Sequence, residues 1–212
     1  TEIYARALTY ALPICTRWRL GWRSTLHALY DEEQRLLRLD EGQVLIDTAP
    51  DHRQPPRPFL VETEHGRMQA LGTRFNVRVD ADRTYLSVLE GAVLTRPSHA
   101  PGDGVRVEAG QVVSFDRVRC DVPAHTDERT VSWTLGMLAA DAMPLRQVLE
   151  ALSRYRHGVV RCDPTVAGIR VSGAFPLDDT DKSLAMLAAT YPVTIDHRLG
   201  GLWVAVTSRD PR

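Results

Sequence analysis

Apolar and polar positions alternate through much of the first 128 residues, the period of a half-buried strand. Trp18, Leu20 and Trp22 interleave with Arg17, Arg19 and Arg23, and Phe75, Val77 and Val79 interleave with Asn76 and Arg78. One short pattern recurs, in which two strand-like runs flank a glycine. It reads Leu37–Val44 around Gly42, Leu86–Val93 around Gly91, Val105–Val112 around Gly110 and, more weakly, Val61–Met68 around Gly66. Tyr10–Arg17 is a decayed copy with Cys15 at the glycine position. The pivots at 15, 42, 66, 91 and 110 are separated by 27, 24, 25 and 19 residues. A period in the twenties predicts stacked units that cannot bury an apolar face alone. Glycine suits the pivot because a tight turn there takes a positive φ. The expected fold of residues 1–128 is a β-rich, stacked-strand, solenoid-like domain; the alternative is an antiparallel sandwich with turn glycines. Pro55-Pro56-Arg57-Pro58 and Pro97–Gly104 are expected as surface loops.

The pattern changes near 126–131. Leu145, Val148, Leu149 and Leu152 fall at i, i+3, i+4 and i+7, one face of a helix. Pro144 suits a first turn, and Val159–Arg161 follows as a strand. The arrangement repeats: a strand over Ile169–Phe175, a helix-start cluster at Asp178–Asp181, a helical stripe at Leu184, Leu187, Ala188 and Tyr191, and strands at Val193–Asp196 and Leu202–Val206. Residues 129–212 therefore read as a small α/β domain of two βαβ units. The leucine stripe is core; two turns are too few for a coiled coil. Small sheets leave open edges, and an edge can accept a partner strand. The candidate partner-binding residues are Val171, Ser172, Gly173, Ala174 and Phe175 on one strand and Trp203 on the last.

Composition narrows the function. The 212 residues carry 43% hydrophobic and 25% charged positions, enough to bury a core without disulfides or metals. A net charge of -1 with dispersed basic residues gives no footprint for nucleic acid. No segment approaches the roughly 18–20 apolar residues that span a bilayer. The seven histidines are scattered without metal-ligand spacing, and no nucleophile elbow or phosphate-binding glycine loop occurs. Cys15, Cys120 and Cys162 form no C-x-x-C pair and are expected as inert thiols. The expectation is a chain that binds rather than catalyses and needs no cofactor. A carbohydrate-binding β-protein is the alternative from another class; it would present an exposed aromatic row, with Trp18 and Trp22 as candidates.

Several ordered blocks resemble one family. Arg57-Pro58-Phe59-Leu60-Val61-Glu62-Thr63, Gly66 and Ala70-Leu71-Gly72-Thr73-Arg74-Phe75-Asn76-Val77 are similar to the most characteristic segment of FecR-type anti-sigma regulators. Glu90-Gly91, Ala109-Gly110-Gln111, Trp133, Gly136, Leu138, Pro144-Leu145, Val148-Leu149 and Arg154-Tyr155 continue the likeness in order. Ile14-Cys15 departs from the Asp-Gly usual in the first turn. The last third also resembles the short N-terminal (STN) domain of secretins and TonB-dependent receptors. The resemblance implies the periplasmic, soluble portion of a single-pass inner-membrane protein. That portion would bind the N-terminal signalling domain of an outer-membrane TonB-dependent siderophore transducer. Periplasmic and intramembrane proteases would then act on the regulator. The sigma factor would be reached through a cytoplasmic segment outside this sequence, to control an extracytoplasmic-function sigma factor and iron uptake.

Overall fold

A computed structural model of the chain describes residues 2–5, 9–11, 17–21, 23–125 and 128–209. The chain divides into two compact units, Thr1–Val131 and Ser132–Arg212.

In the first unit the alternating segments become β1 (Glu2–Ala5), β2 (Thr9–Ala11), β3 (Arg17–Leu20), β4 (Ser24–Tyr30), β5 (Arg35–Asp47), β6 (Phe59–Thr63), β7 (Gly66–Ala70), β8 (Arg74–Val79), β9 (Thr84–Glu90), β10 (Ala92–Pro97), β11 (Val105–Glu108), β12 (Gln111–Phe115) and β13 (Ala124–His125). They form a 13-stranded sheet curled into two layers. One layer runs β1-β4-β5-β6-β7-β10-β11. The other runs β2-β3-β5-β8-β9-β12-β13. β5 belongs to both: it pairs with β4 and β6 up to Glu41, and with β3 and β8 from Gly42 onward.

The repeated glycines are the corners where the chain changes layer. Gly42, Gly91 and Gly110 take φ of 92°, 76° and 76°. Two corners also admit no side chain. A Cβ at Gly42 would lie 2.6 Å from the Cα of Ser24, and one at Gly91 would collide with the carbonyl oxygen of Gly72. Gly66 differs from the repeat reading. It begins β7 after the β6–β7 hairpin turn, and the layer change falls at Gly72, with φ 75°. The decayed copy at 10–17 lies largely outside the described residues.

The units stack in chain order but do not coil as a solenoid. Among the described residues every strand pairing in this unit is antiparallel except β5 with β6. The physical reason lies in the returns. Asp31 accepts from the amides of Glu33 and Gln34 at 2.8 and 2.7 Å. Asp116 does the same for Val118 and Arg119 at 2.7 and 2.8 Å. Such side-chain-to-backbone turns reverse the chain within a few residues and set strands beside their own predecessors. Trp18, Phe59, Phe75, Phe115, Leu37 and Met68 point from the two layers into one core.

The loop before β6 is not all surface. Arg57 is buried, and its Nε donates to Asp51 at 2.8 Å while its Nη1 donates to the Asp31 carbonyl at 2.8 Å. The Arg57 guanidinium and, after it, the Arg57 amide hold the Asp51 carboxyl well below its ordinary range. Arg35, also buried, donates to the carbonyls of Ala49 and Arg57 and lies 5.4 Å from the Phe59 ring centre. Burial pushes the neighbouring Tyr30 hydroxyl up to about 12.

The second unit contains β14 (Met137–Pro144), α1 (Leu145–Ser153), β15 (Val159–Cys162), β16 (Arg170–Pro176), α2 (Thr180–Thr190), β17 (Val193–Arg198) and β18 (Trp203–Ser208). β14 and β16 form an antiparallel pair; β15, β18 and β17 form a second sheet in that order, with β15 parallel to β18. Each helix packs against strands of both sheets. Leu145, Val148, Leu149 and Leu152 of α1 meet Leu184 and Leu187 of α2 in the core, so the leucine stripe faces inward. The expected cluster starts α2, where the Asp179 carboxylate accepts from the Lys182 amide at 2.9 Å. β14 has no counterpart in the sequence reading, because Met-Leu-Ala-Ala-Asp-Ala-Met-Pro carries no alternation. It bulges between Ala140 and Met143, and Ala142 takes φ 46°.

Candidate interaction surface

The six residues singled out from the sequence separate into three environments. Val171 and Phe175 point into the core of the second unit. Ser172, Gly173 and Ala174, between them on β16, are exposed. Trp203 begins β18, half-buried, with the Arg161 guanidinium 5.7 Å from its ring centre. Its neighbours in β18, Val204 and Val206, are fully buried. Strand alternation therefore puts Trp203 on the opposite, outer face of the three-stranded sheet. Val159 is paired with Trp203 across the parallel ladder and is itself exposed. Tryptophan and arginine are among the residues enriched where protein interfaces concentrate their binding energy, and an arginine stacks readily on an aromatic ring.

The strand edges of this unit are not equally open. On β16, the Tyr191 hydroxyl accepts from the Ser172 amide at 2.9 Å and donates to its carbonyl at 3.2 Å. That one side chain occupies both backbone groups a partner strand would need at this position. On β14, the Ser132 hydroxyl accepts from the Ala139 amide at 3.2 Å. The start of β17 is held by Arg209, whose amide donates to the Pro192 carbonyl at 3.1 Å and whose guanidinium reaches the carbonyls of Ala188 and Val193. β15 carries no such bond on its outer side among the described residues.

Sequence reasoning missed Arg161, Tyr191 as an edge cap, and the Leu199–Leu202 segment between β17 and β18. The last had a legible signal, since Gly200-Gly201 between two strand-like runs marks a tight hairpin. The Tyr191 contact had none, because it joins a helix end to a strand 19 residues earlier.

Other candidate chemistry is quiet. Cys120 and Cys162 are free and half-buried, and burial raises both thiols, which disfavours the reactive thiolate. Cys15 lies outside the described residues. Among the described residues no group of three or more His, Cys, Asp or Glu could hold a metal. No described helix is long and apolar enough to cross a membrane. Trp18 is 1% exposed, so it cannot belong to an exposed aromatic row for sugars, and Trp22 lies outside the described residues.

Two crystal structures share this fold, each described as that of a candidate anti-sigma factor from Parabacteroides distasonis. The first is 18% identical with a TM-score of 0.78, covering 98% of this chain and 99% of that one. The second is 17% identical with a TM-score of 0.76, covering 98% of each. No protein of curated function matches the chain. The family model described as FecR protein matches residues 6–94, which run from just after β1 into β10 and include the Gly42, Gly72 and Gly91 corners. Residues 6–94 are therefore similar to the FecR family.

Proposed function

We propose that this chain is the signal-receiving portion of an anti-sigma regulator and that it works by binding other proteins, without catalysis. In this reading it occupies the periplasm as the soluble part of a single-pass inner-membrane protein. Its second unit, read as an STN-like module, docks the N-terminal signalling domain of an outer-membrane TonB-dependent transducer. Docking changes the regulator's exposure to periplasmic and intramembrane proteases, and so the activity of an extracytoplasmic-function sigma factor governing siderophore uptake. The likeness of residues 6–94 to the FecR family supports the regulatory role. The observation that carries the docking role is Trp203, held under Arg161 on the outer face of a sheet with open edges.

Calorimetric titration of the chain with isolated transducer signalling domains tests this role. Saturable one-to-one binding to one of them is expected. Absence of binding to every domain would overturn it.

A further inference from the structure

Among the described residues, β15 is an edge strand of the second unit with no side chain capping it, whereas β17, the other edge of that sheet, is held only at its start; an exposed apolar turn stands beside β15. The Val159 amide donates to the Leu202 carbonyl at 2.8 Å, and the Asp163 amide to that of Val206 at 2.9 Å. In a parallel ladder alternate residues face the neighbour, so the peptide groups of Val160 and Cys162 face away from β18. No described strand pairs on that side. The edges of β14, β16 and β17 are each touched by a side chain of the unit itself, which is how folded proteins guard against unwanted strand addition. β15 lacks that protection.

The adjoining turn is apolar and rigid. Leu199 is 78% exposed, Leu202 56% and Val159 44%. Leu199, Gly200 and Gly201 take φ of 52°, 65° and 89° in succession. Glycine adopts this region freely, whereas leucine does so against steric resistance. Leu199 is thus strained and yet leaves most of its side chain exposed. The turn is fixed from beneath by Arg156, which is buried. It donates from Nη2 to the Gly201 carbonyl at 2.8 Å and from Nη1 to Asp181 of α2 at 2.9 Å. Gly158 comes so close to the Leu202 backbone that no Cβ would fit there. A surface held ready in this way loses little freedom on binding.

Charge selects the occupant. Arg161 lies on the same face of β15 as Val159, two residues on, and none of the described carboxylates pairs with it. We propose that β15 receives an edge strand of the partner's signalling domain, carrying a carboxylate and a large apolar residue two positions apart. The carboxylate meets Arg161, and the apolar side chain packs against Val159 and the Leu199–Leu202 turn. The second unit of another copy offers no regular complement: β14 has Asp141 two positions from Met143, but it bulges there, with Ala142 at φ 46°. β15 holds no acid, and the next residue, Asp163, is bonded to its own Thr165.

This inference rests on the docking role above and specifies its site. The test uses the whole 212-residue chain and two extended seven-residue peptides. One alternates threonine and valine, with a glutamate two positions from a leucine; the other replaces the glutamate with lysine. The glutamate peptide is expected to bind about tenfold more tightly. Arg161→Glu is expected to reverse the preference. Leu199→Gly relieves the backbone, so it is expected to hold or raise Tm while weakening both peptides severalfold. Equal affinities, binding of neither peptide at millimolar concentration, or full binding by Leu199→Gly would overturn the inference. So would a dimer in solution that Arg161→Glu disrupts. If Arg161→Glu and Leu199→Gly both bind a transducer domain as the wild type does, the site is wrong and the docking role stands. If no domain binds the wild type, the docking role fails while the peptides still judge the edge.

Discussion

The outer faces of the two units are built differently. On the first, charges pair across neighbouring strands. Arg38 of β5, Glu62 of β6 and Arg67 of β7 lie opposite one another in register, and Glu62 binds both arginines at 3.2 and 2.6 Å. Arg67, with Arg38, holds the Glu62 carboxyl below its usual range. Arg74 and Glu90 pair likewise between β8 and β9 at 3.5 Å. Exposed pairs of this kind contribute little stability, but they keep a strand surface solvated and unattractive to other chains. On the second unit, the three-stranded sheet turns Trp203 and Val159 outward with one guanidinium over the ring. The difference lies in how charge is answered: the β5–β7 face of the first unit pairs its own arginines and glutamate, whereas on the smaller sheet no described carboxylate pairs with Arg161.

Mutations sharpen this contrast, beginning with the first unit. Phe75→Ala removes a fully buried ring from the core shared by both layers, at an expected cost of about 3–5 kcal/mol in chemical denaturation. Gly91→Val forces a branched side chain into positive φ and against the Gly72 carbonyl, with an expected loss on the order of 2–5 kcal/mol. A stability near wild type for Phe75→Ala would break the shared-core account, and for Gly91→Val the corner account. On the second unit, Tyr191→Phe keeps the packing but frees both Ser172 backbone groups, and should cost about 1 kcal/mol. It should also speed amide exchange at Ser172; unchanged exchange would show the edge is not guarded there. Smallest is Glu62→Gln, expected within about 1 kcal/mol of wild type, since the ladder is largely exposed.

Acid tests the first unit's buried clasp directly. The Asp51 carboxyl is depressed in the folded state by Arg57, so the stability it contributes is present above its unfolded value, near pH 4. It is lost as pH falls below that value. Melting curves between pH 2 and 6 should therefore show a steeper acid decline for wild type than for Asp51→Asn. Parallel curves would contradict the buried clasp around Arg57.

The first unit was largely legible because its strands alternate and its corners demand glycine. The repeat located Gly42, Gly91 and Gly110 before any coordinates did. It misplaced one corner, since Gly66 shares the local pattern while the φ requirement sits at Gly72. It also implied a coil, because period alone does not say whether neighbours run parallel; the Asp31 and Asp116 turns decide that. In the second unit the helices were legible from their leucines, whereas β14, rich in alanine, was not. For the candidate site, the sequence marked Trp203 and the β16 strand. It could not show that Val171 and Phe175 face the core, that Tyr191 guards Ser172, or that Arg161 covers Trp203. Those facts arise from long-range register, which no local pattern encodes.

Hydrogen exchange of the whole chain, with and without a transducer signalling domain that binds it, tests the central claim most directly. The account predicts that the Val160 and Cys162 amides of β15 gain protection while the Arg38–Glu62–Arg67 face exchanges as before. Protection confined to the first unit, with β15 unchanged, would contradict it.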